Sequence, residues 1–187
     1  MSPLTDRHTL ATEIAAGKKV EWLLFWGHTP PPDGKVGKHV LSQWWPATFQ
    51  INGVDYRTAE HWMMAEKARL FGDRGAERAA IDAEHPAEAK NAGRLVRSFD
   101  DATWAAHRVD IVVRGNVAKF GQHDELRDFL LTTGERVLVE ASPRDRIWGI
   151  GMGATHEHAT EPDRWRGGNL LGFALMQARA ILRDQAV

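Results

Sequence analysis

The pattern of apolar and polar positions along the chain predicts a few short strands. An apolar run over residues 20–26 is typical of a buried strand, and residues 136–141 have the same character. Two alternating segments, 47–51 and 54–57, flank Asn52-Gly53. Because the type I′ turn of a tight hairpin requires positive φ at two successive residues, an Asn-Gly pair in this position predicts a β-hairpin.

Helical periodicity dominates the rest of the chain. Apolar spacing and capping residues predict helices over residues 59–71, 75–83, 86–96, 101–120, 124–131 and from about 169 onward. The first of these helices follows Thr58, a suitable N-cap, and precedes Gly72, a suitable stop. Residues 142–168 are rich in glycine, histidine, proline and charge, so we expect loops there.

Two or three short strands with about six helices predict an α+β fold rather than a wound βαβ sheet. We expect a mostly helical single domain over residues 20–187, with a small β-sheet that includes the Asn-Gly hairpin. Residues 1–19 are expected to form a polar N-terminal extension with weak helical character. A length of 187 residues is ordinary for one domain.

Composition excludes several classes of protein. Lys and Arg number 24 and Asp and Glu number 25, so a formal charge of −1 argues against a broad electrostatic grip on nucleic acid, although a local basic pocket is compatible with it. The chain has no cysteine, which excludes disulfides, thiolate zinc sites, iron–sulfur clusters and cysteine nucleophiles. No apolar run approaches about 18 residues, the length of a membrane span, and the N-terminus lacks a signal-peptide core. We therefore expect a cytoplasmic protein that does not engage membranes.

The helix predicted over residues 59–71 carries a carboxylate and an amine on one face. Glu60 and Lys67 lie close to two helical turns apart, so their side chains project from nearly the same side, with Met64 between them. One interpretation is a site in which the carboxylate acts as a base or charge stabiliser beside the amine. The other is ordinary charge placement, because the helix dipole favours an anion in the first turn and a cation toward the carboxyl end.

A second candidate site follows the strand predicted over residues 136–141. The segment 140–153 contains Asp145, Trp148 and alternate glycines at 149, 151 and 153. Glycines allow backbone amides to approach a ligand closely, so the segment predicts either a phosphate or ribose contact or a tight structural turn. It is not a Rossmann fingerprint, because no helix is predicted to begin directly after the glycines.

Other familiar sites are not supported by the sequence. His156 and His158 lie two residues apart on a predicted loop without further ligands, so we expect no metal ion there. No cofactor is expected either. Ser42 does not belong to the G-x-S-x-G turn of a serine hydrolase.

Several segments, taken in order along the chain, carry a resemblance to a known family. They are Phe25-Trp26-Gly27-His28, Leu41-Ser42-Gln43-Trp44-Trp45-Pro46, the hairpin, Tyr56–Ala68, Ala92-Gly93-Arg94, Lys119-Phe120, Leu138-Val139-Glu140, Asp145–Gly151 and Asn169–Met176. In this combination they resemble the NADAR, or YbiA-like, superfamily of N-glycosidases, over about residues 20–183.

The resemblance implies a fold of the YbiA type and hydrolysis of an N-glycosidic bond at ribose C1′. It implies a ribosylated base or an ADP-ribose-bearing guanine, as a nucleotide or in nucleic acid, as the substrate. We expect removal of ADP-ribose from guanine, because the loops at 28–39 and 152–168 are longer than in the shortest family members and accommodate a bulkier adduct. The alternatives are hydrolysis of ribosylamino-pyrimidine phosphates of riboflavin biosynthesis, and a non-catalytic ADP-ribose-binding module.

The resemblance also implies site residues. Glu60, Lys67 and Asp145 are expected to be catalytic: Glu60 stabilises positive charge at C1′ or activates water, and Lys67 attacks C1′ to form a Schiff base or only binds substrate. The residues expected to bind substrate are Trp26, Gly27, Ser42, Trp44, Trp62, Arg94, Trp148, Gly149, Gly151 and Asn169. The alternative for the tryptophans is core packing, and for Arg94 it is an exposed place on a helix.

Overall fold

The computed structural model describes residues 6–185, and within that range it contains seven α-helices and four β-strands. In chain order these are α1 (Arg7–Ala15), β1 (Trp22–Phe25), β2 (Phe49–Ile51), β3 (Val54–Tyr56), α2 (Ala59–Leu70), α3 (Arg74–Asp82), α4 (Pro86–Arg94), α5 (Asp101–Gly121), α6 (Asp124–Thr132), β4 (Val137–Glu140) and α7 (Leu170–Gln185). The predicted α+β class is confirmed. The sequence predicted about six helices and two or three strands, which is fewer than the described residues form. The additional helix, α1, lies in the segment predicted to be an extension, and the strands are too short to have been predicted completely.

Helix positions agree with the sequence pattern to within one or two residues. The strand predicted over 20–26 is shorter, because Trp26 is 60% exposed and Gly27 has a φ of 78°. Residues 142–168 are loops, as predicted, except for a 3₁₀ turn at Pro162–Arg164. The boundary predicted between residues 19 and 20 stays a prediction, and residues 1–5, 186 and 187 lie outside the described part of the chain.

Thr58 is the N-cap of α2, as predicted, but its hydroxyl does not cap the helix backbone. Instead, its Oγ1 lies 2.8 Å from Nδ1 of His61, one turn into the helix. Nε2 of the same ring lies 3.1 Å from the carbonyl of Ala83. This buried chain of polar contacts ties the start of α2 to the end of α3.

The contacts divide the described part of the chain into two compact units, and unit 1 contains residues 6–42 and 125–185. Its centre is a parallel pair of strands, in which Trp22 of β1 lies opposite Val137 of β4 and Phe25 lies opposite Glu140. Helix α7 packs against β4. A Cβ atom at Gly172 would lie 2.1 Å from the carbonyl oxygen of Leu138, so only glycine permits this close approach of helix and strand.

Unit 2 contains residues 43–124 and is built around α2, which packs against α3, α4 and α5. Two glycines let these helices approach closely: Gly93 of α4 meets Met64, and Gly115 of α5 meets Trp62. The predicted hairpin is confirmed, since β2 pairs with β3 and the turn residues Asn52 and Gly53 have φ values of 53° and 77°. In the described part of the chain, no helix combines the length and apolar character that crossing a membrane would demand.

Candidate functional site

In unit 1, the parallel pairing of β1 and β4 brings two predicted site segments to one edge. The amide of Ala141, directly after β4, donates a 2.8 Å hydrogen bond to the carbonyl of Phe25 at the end of β1. Trp26 and Gly27 continue from β1, and the loop from residue 141 to 153 continues from β4. Ligands commonly bind outside the carboxyl ends of parallel strands. This edge is therefore a candidate site within unit 1.

Asp145 organises the loop that follows β4. Its Oδ1 accepts hydrogen bonds from the backbone amides of Ile147 (2.8 Å) and Trp148 (2.7 Å). Its backbone carbonyl accepts a third, from Gly151 at 3.0 Å. This arrangement shapes the turn and leaves the indole of Trp148 half-buried at the loop surface.

Two of the three alternate glycines are required by the turn. A Cβ atom at Gly149 would lie 2.9 Å from the carbonyl oxygen of Glu140, and Gly151 has a φ of 70°. Gly153 is different, because a Cβ atom there would meet nothing within 4 Å. The structural role expected for a tight turn is therefore present at Gly149 and Gly151, and their contact with substrate stays a prediction.

Asn169 fixes the start of α7 to β4. It is fully buried and has a φ of 53°. Its Oδ1 accepts a hydrogen bond from the amide of Glu140 (2.9 Å), and its Nδ2 donates to the carbonyl of Leu138 (3.0 Å). The side-chain amide of Asn169 therefore hydrogen-bonds the backbone of β4 through both its oxygen and its nitrogen. These bonds fix Asn169 next to the strand from which the Asp145 loop continues. Its direct contact with substrate stays a prediction.

Ser42 lies at the end of a 3₁₀ turn, Lys38–Leu41, and is half-buried. The ammonium of Lys38 donates to the carbonyl of Leu24 at 3.3 Å, which ties this turn to β1. Ser42 therefore belongs to the part of unit 1 that is held against the strand pair.

Two loop histidines, His156 and His158, are 5.5 Å apart by ring centroids, and the Nδ1 atom of His158 lies 3.2 Å from a carboxylate oxygen of Glu161.

In unit 2, α2 carries Glu60 in its first turn and Lys67 near its carboxyl end. Glu60 is only 3% exposed, and its amide donates a 3.0 Å hydrogen bond to the carbonyl of Gln43. A separation of about 10 Å along the axis follows from helix geometry, with both residues on one side. Met64 lies between them and is buried against Gly93.

Lys67 lies in an aromatic environment. Its ammonium stands 4.1 Å from the ring centroid of Phe99 and 5.7 Å from that of Trp104. Burial lowers the pKa of Lys67, and the carboxylate of Asp101 opposes part of that change. An amine with a lowered pKa is more often neutral, and therefore more nucleophilic, than an ordinary lysine.

The other predicted residues of unit 2 have contrasting environments. Trp62 is in the core, where its Nε1 donates to the carbonyl of Ile111 at 2.7 Å. This contact fits the core-packing alternative left open by the sequence. Trp44 is half-buried, with its ring 5.7 Å from that of His85. Arg94 is exposed, and its Nη1 donates to Oδ1 of Asn91 at 3.3 Å.

One chemically notable residue was missed by the site prediction. Lys119 of α5 is fully buried, and burial lowers the pKa of its amine to about 7. The sequence held a signal for it, because Lys119 lies one turn after Gly115 and Asn116, on the face of α5 that carries Val112. A lysine on an apolar face of a helix predicts a buried amine.

Comparison with known proteins gives a consistent result. The sequence profile of the NADAR domain matches residues 24–183. An N-glycosidase of Acanthamoeba polyphaga mimivirus is 42% identical over 150 residues, which are 78% of this chain and 88% of that protein. A riboflavin biosynthesis protein of Vibrio vulnificus is 30% identical over 155 residues, which are 83% of this chain but 38% of that longer protein.

A solved structure has the same architecture. The NMR structure of the E. coli protein YbiA superposes with a TM-score of 0.68 at 25% identity. The match covers 90% of this chain and 89% of the other.

Proposed function

This chain belongs to the NADAR family, and on that premise we propose that it is an N-glycosidase that hydrolyses the bond between ribose C1′ and a base nitrogen, releasing ADP-ribose from guanine. The observation that carries this proposal is the buried carboxyl group of Glu60 in the first turn of α2. Cleavage of an N-glycosidic bond passes through a state with oxocarbenium character. A carboxylate near C1′ stabilises that positive charge, most effectively where water is excluded.

We assign the second catalytic role to Lys67. Its neutral amine attacks C1′ as the bond from C1′ to the base breaks, and the ammonium formed on Lys67 gives up the proton with which the base leaves. Breaking of the C1′–O4′ bond then opens the ring of the resulting glycosylamine to a Schiff base, with O4′ taking a proton. Water hydrolyses the Schiff base, which regenerates the amine and releases the sugar. The lowered pKa of Lys67 supports this role, because a larger share of the amine is unprotonated at neutral pH. In the milder alternative, Lys67 only binds a phosphate or a ribose hydroxyl.

The loop after β4 is proposed to bind the sugar and phosphates. Oδ1 of Asp145 is occupied by two backbone amides, so this residue holds the loop in shape and presents its carboxylate at the carboxyl edge of the strand pair. We propose that Trp148 and Trp26 offer flat surfaces for a base or ribose, since both are partly or largely exposed.

The choice of ADP-ribosylated guanine over a riboflavin intermediate rests on size and charge. The length of the loops at 28–39 and 152–168 supports a bulky adduct, and a formal charge of −1 fits a substrate with few phosphate contacts. The named riboflavin biosynthesis relative makes a ribosylamino-pyrimidine phosphate the second candidate.

A release assay separates these substrates. The purified protein is incubated in parallel with ADP-ribosylated guanine in DNA and with ribosylamino-pyrimidine phosphate, and the free base is measured. We expect release from guanine to be the faster reaction, and preferential release from the pyrimidine would reverse the assignment. Binding of ADP-ribose without release from either substrate would instead identify a reader.

Borohydride trapping tests the covalent step. Reduction during turnover should attach ribose to Lys67, which peptide mapping identifies, and Lys67→Arg should abolish the adduct. The fully buried Lys119 is the internal comparison, because its amine also has a lowered pKa. An adduct on Lys119, or continued turnover without any adduct, would contradict the role assigned to Lys67.

A further inference from the structure

A large cavity in unit 1 lies at the edge opposite to the glycine loop. It has a volume of about 930 Å³ and is bordered by the amino ends of β1 and β4 and by α7. This volume is typical of pockets that take small molecules. Each strand has four residues and therefore spans about 13 Å, which separates the cavity from the loop at the carboxyl ends.

Among the charged residues that line the cavity, cations outnumber carboxylates. Its basic side chains are Lys18, Lys19, Arg136, Arg179 and Arg183. The acidic residues in the lining are Glu21, Glu135 and Asp184. Glu135 is engaged by Arg183 at 2.6 Å, and Lys18 is bonded to Glu13 at 2.5 Å. Outside these two pairs the lining has three cations, Lys19, Arg136 and Arg179, and two carboxylates, Glu21 and Asp184, so a small excess of positive charge remains there although the whole chain has a formal charge of −1.

Arg179 is the central feature of this lining. Arg179 is only 5% exposed. Its Nη1 donates both of the hydrogen bonds described for it, to Oγ1 of Thr133 (2.7 Å) and to the carbonyl of Arg136 (3.0 Å). Both acceptors are neutral. Within residues 6–185 no carboxylate forms an ion pair with this guanidinium, although Glu135 lies near enough to raise its pKa, and neither described hydrogen bond uses Nε or Nη2. A buried cation in this situation favours an anion.

Burial lowers the pKa of Arg179 to about 10, so the group stays charged at neutral pH. Part of the remaining lining is apolar, with Val20, Val137, Met176 and Ala180 beside the cations. An apolar surface next to a small number of fixed charges is the usual composition of a site for an organic anion. Inorganic phosphate alone would use the charges but not the apolar part.

We propose that this cavity binds a phosphate-bearing small molecule of nucleotide size, with its phosphate on Arg179 and Lys19 and its uncharged part on the apolar lining. None of the residues proposed to act at C1′ is among those that line this cavity. The inference does not depend on the N-glycosidase assignment, because it uses only residues at the amino edge of the strand pair.

The test is an NMR titration in which ADP is added to the isotope-labelled protein and the amide chemical shifts are measured. Adenosine and inorganic phosphate are the comparison ligands. We expect saturable shifts at Gly134, Glu135 and Ala180 with ADP, and affinity weaker by about tenfold or more for either comparison ligand. Glu60→Gln and Asp145→Asn should retain these shifts, because neither residue lines the cavity.

Two charge reversals provide the matched control. Lys19 is exposed and lines the cavity. Lys35 is an exposed lysine of the same unit that pairs with Asp33 and does not line the cavity. Lys19→Glu should weaken ADP binding by about fivefold or more, and Lys35→Glu should leave it unchanged. Arg179→Met should abolish binding, with the amide spectrum confirming that the variant is folded.

Three results would overturn the proposal. One is the absence of saturable shifts at the three cavity amides up to about millimolar ADP. Another is equal binding of adenosine, which would show that the phosphate contributes nothing. The last is a set of shifts confined to residues 145–151, which would place ADP at the candidate catalytic site and leave the proposed function standing without this second site.

Discussion

Glu60 is a single carboxyl group on which the proposed chemistry depends. It is 3% exposed and lies in the first turn of α2, where the helix dipole favours a negative charge. We predict that Glu60→Gln lowers kcat by about a hundredfold or more while substrate affinity changes little, because the amide keeps the shape but not the charge. Single-turnover rates and equilibrium binding measure the two quantities separately.

Glu66 provides the control for this substitution. It lies on the same helix and pairs with Arg69 and Arg114, so Glu66→Gln removes a charge from α2 without touching the proposed chemistry. The kcat of Glu66→Gln should stay near that of the parent protein. Unchanged turnover in Glu60→Gln, or equal losses in both variants, would exclude Glu60 as the charge stabiliser.

At Lys119, burial predicts a pH dependence of stability. The folded-state pKa is about 7, against 10.5 for an ordinary lysine. Between these values the unfolded chain binds more protons than the folded protein, so this lysine makes the free energy of unfolding rise with pH from about pH 7 to pH 10. Below that window the lysine is charged in both states and its full burial penalty remains.

Lys119→Met should remove this rise. We expect urea unfolding at pH 7 and pH 9 to give a larger increase in stability for the parent protein than for the variant. Lys35→Met, at an exposed position, should behave like the parent. Identical pH dependence in the parent protein and Lys119→Met would show that the amine of Lys119 has an ordinary pKa.

At the scale of elements, the contact between α7 and β4 depends on the absence of a side chain at one position. A Cβ atom at Gly172 would lie 2.1 Å from the Leu138 carbonyl and 2.5 Å from Nδ2 of Asn169. We predict that Gly172→Ala destabilises the protein by about 1–3 kcal/mol, because helix and strand must separate. Denaturant unfolding measures the loss.

Gly153→Ala is the matched control for that substitution. Gly153 is in the same unit, and a Cβ atom there would meet nothing within 4 Å. The free energy of unfolding of Gly153→Ala should differ from that of the parent protein by less than about 0.5 kcal/mol. A neutral Gly172→Ala would mean that α7 can shift away from β4 without cost.

The elements that the sequence predicted correctly are those with a local cause. The turn at Asn52-Gly53 requires positive φ at both residues, and that requirement is visible in two adjacent letters of the sequence. Thr58 was correctly placed at the start of α2, but the contact of its hydroxyl with His61 was not foreseen. A threonine N-cap predicts a bond to the helix backbone, and a histidine three residues later competes for the same oxygen.

At the scale of the whole molecule, the pairing of β1 with β4 had no local signal. Trp22 lies opposite Val137, and more than a hundred residues separate them in the chain. This pairing brings Trp26 and the loop of Asp145 to one edge and forms the cationic cavity at the other. The family resemblance supplied the residues of the first edge, whereas Arg179 and its cavity depend on long-range contacts that no short pattern contains.

Overall charge leads to a final prediction, on the salt dependence of turnover. A formal charge of −1 leaves no excess of cations to follow a nucleic-acid backbone, so we expect the substrate to be held through about two phosphates, those of ADP-ribose itself. A plot of log kcat/KM against log salt should then have a slope no steeper than about −2, a loss of about tenfold between 50 and 200 mM. ADP-ribosylated guanine in DNA and the corresponding free nucleotide should give nearly the same slope. A loss of about a thousandfold for DNA alone would require six or more backbone contacts, and the substrate would then be recognised as an extended strand rather than as one modified base.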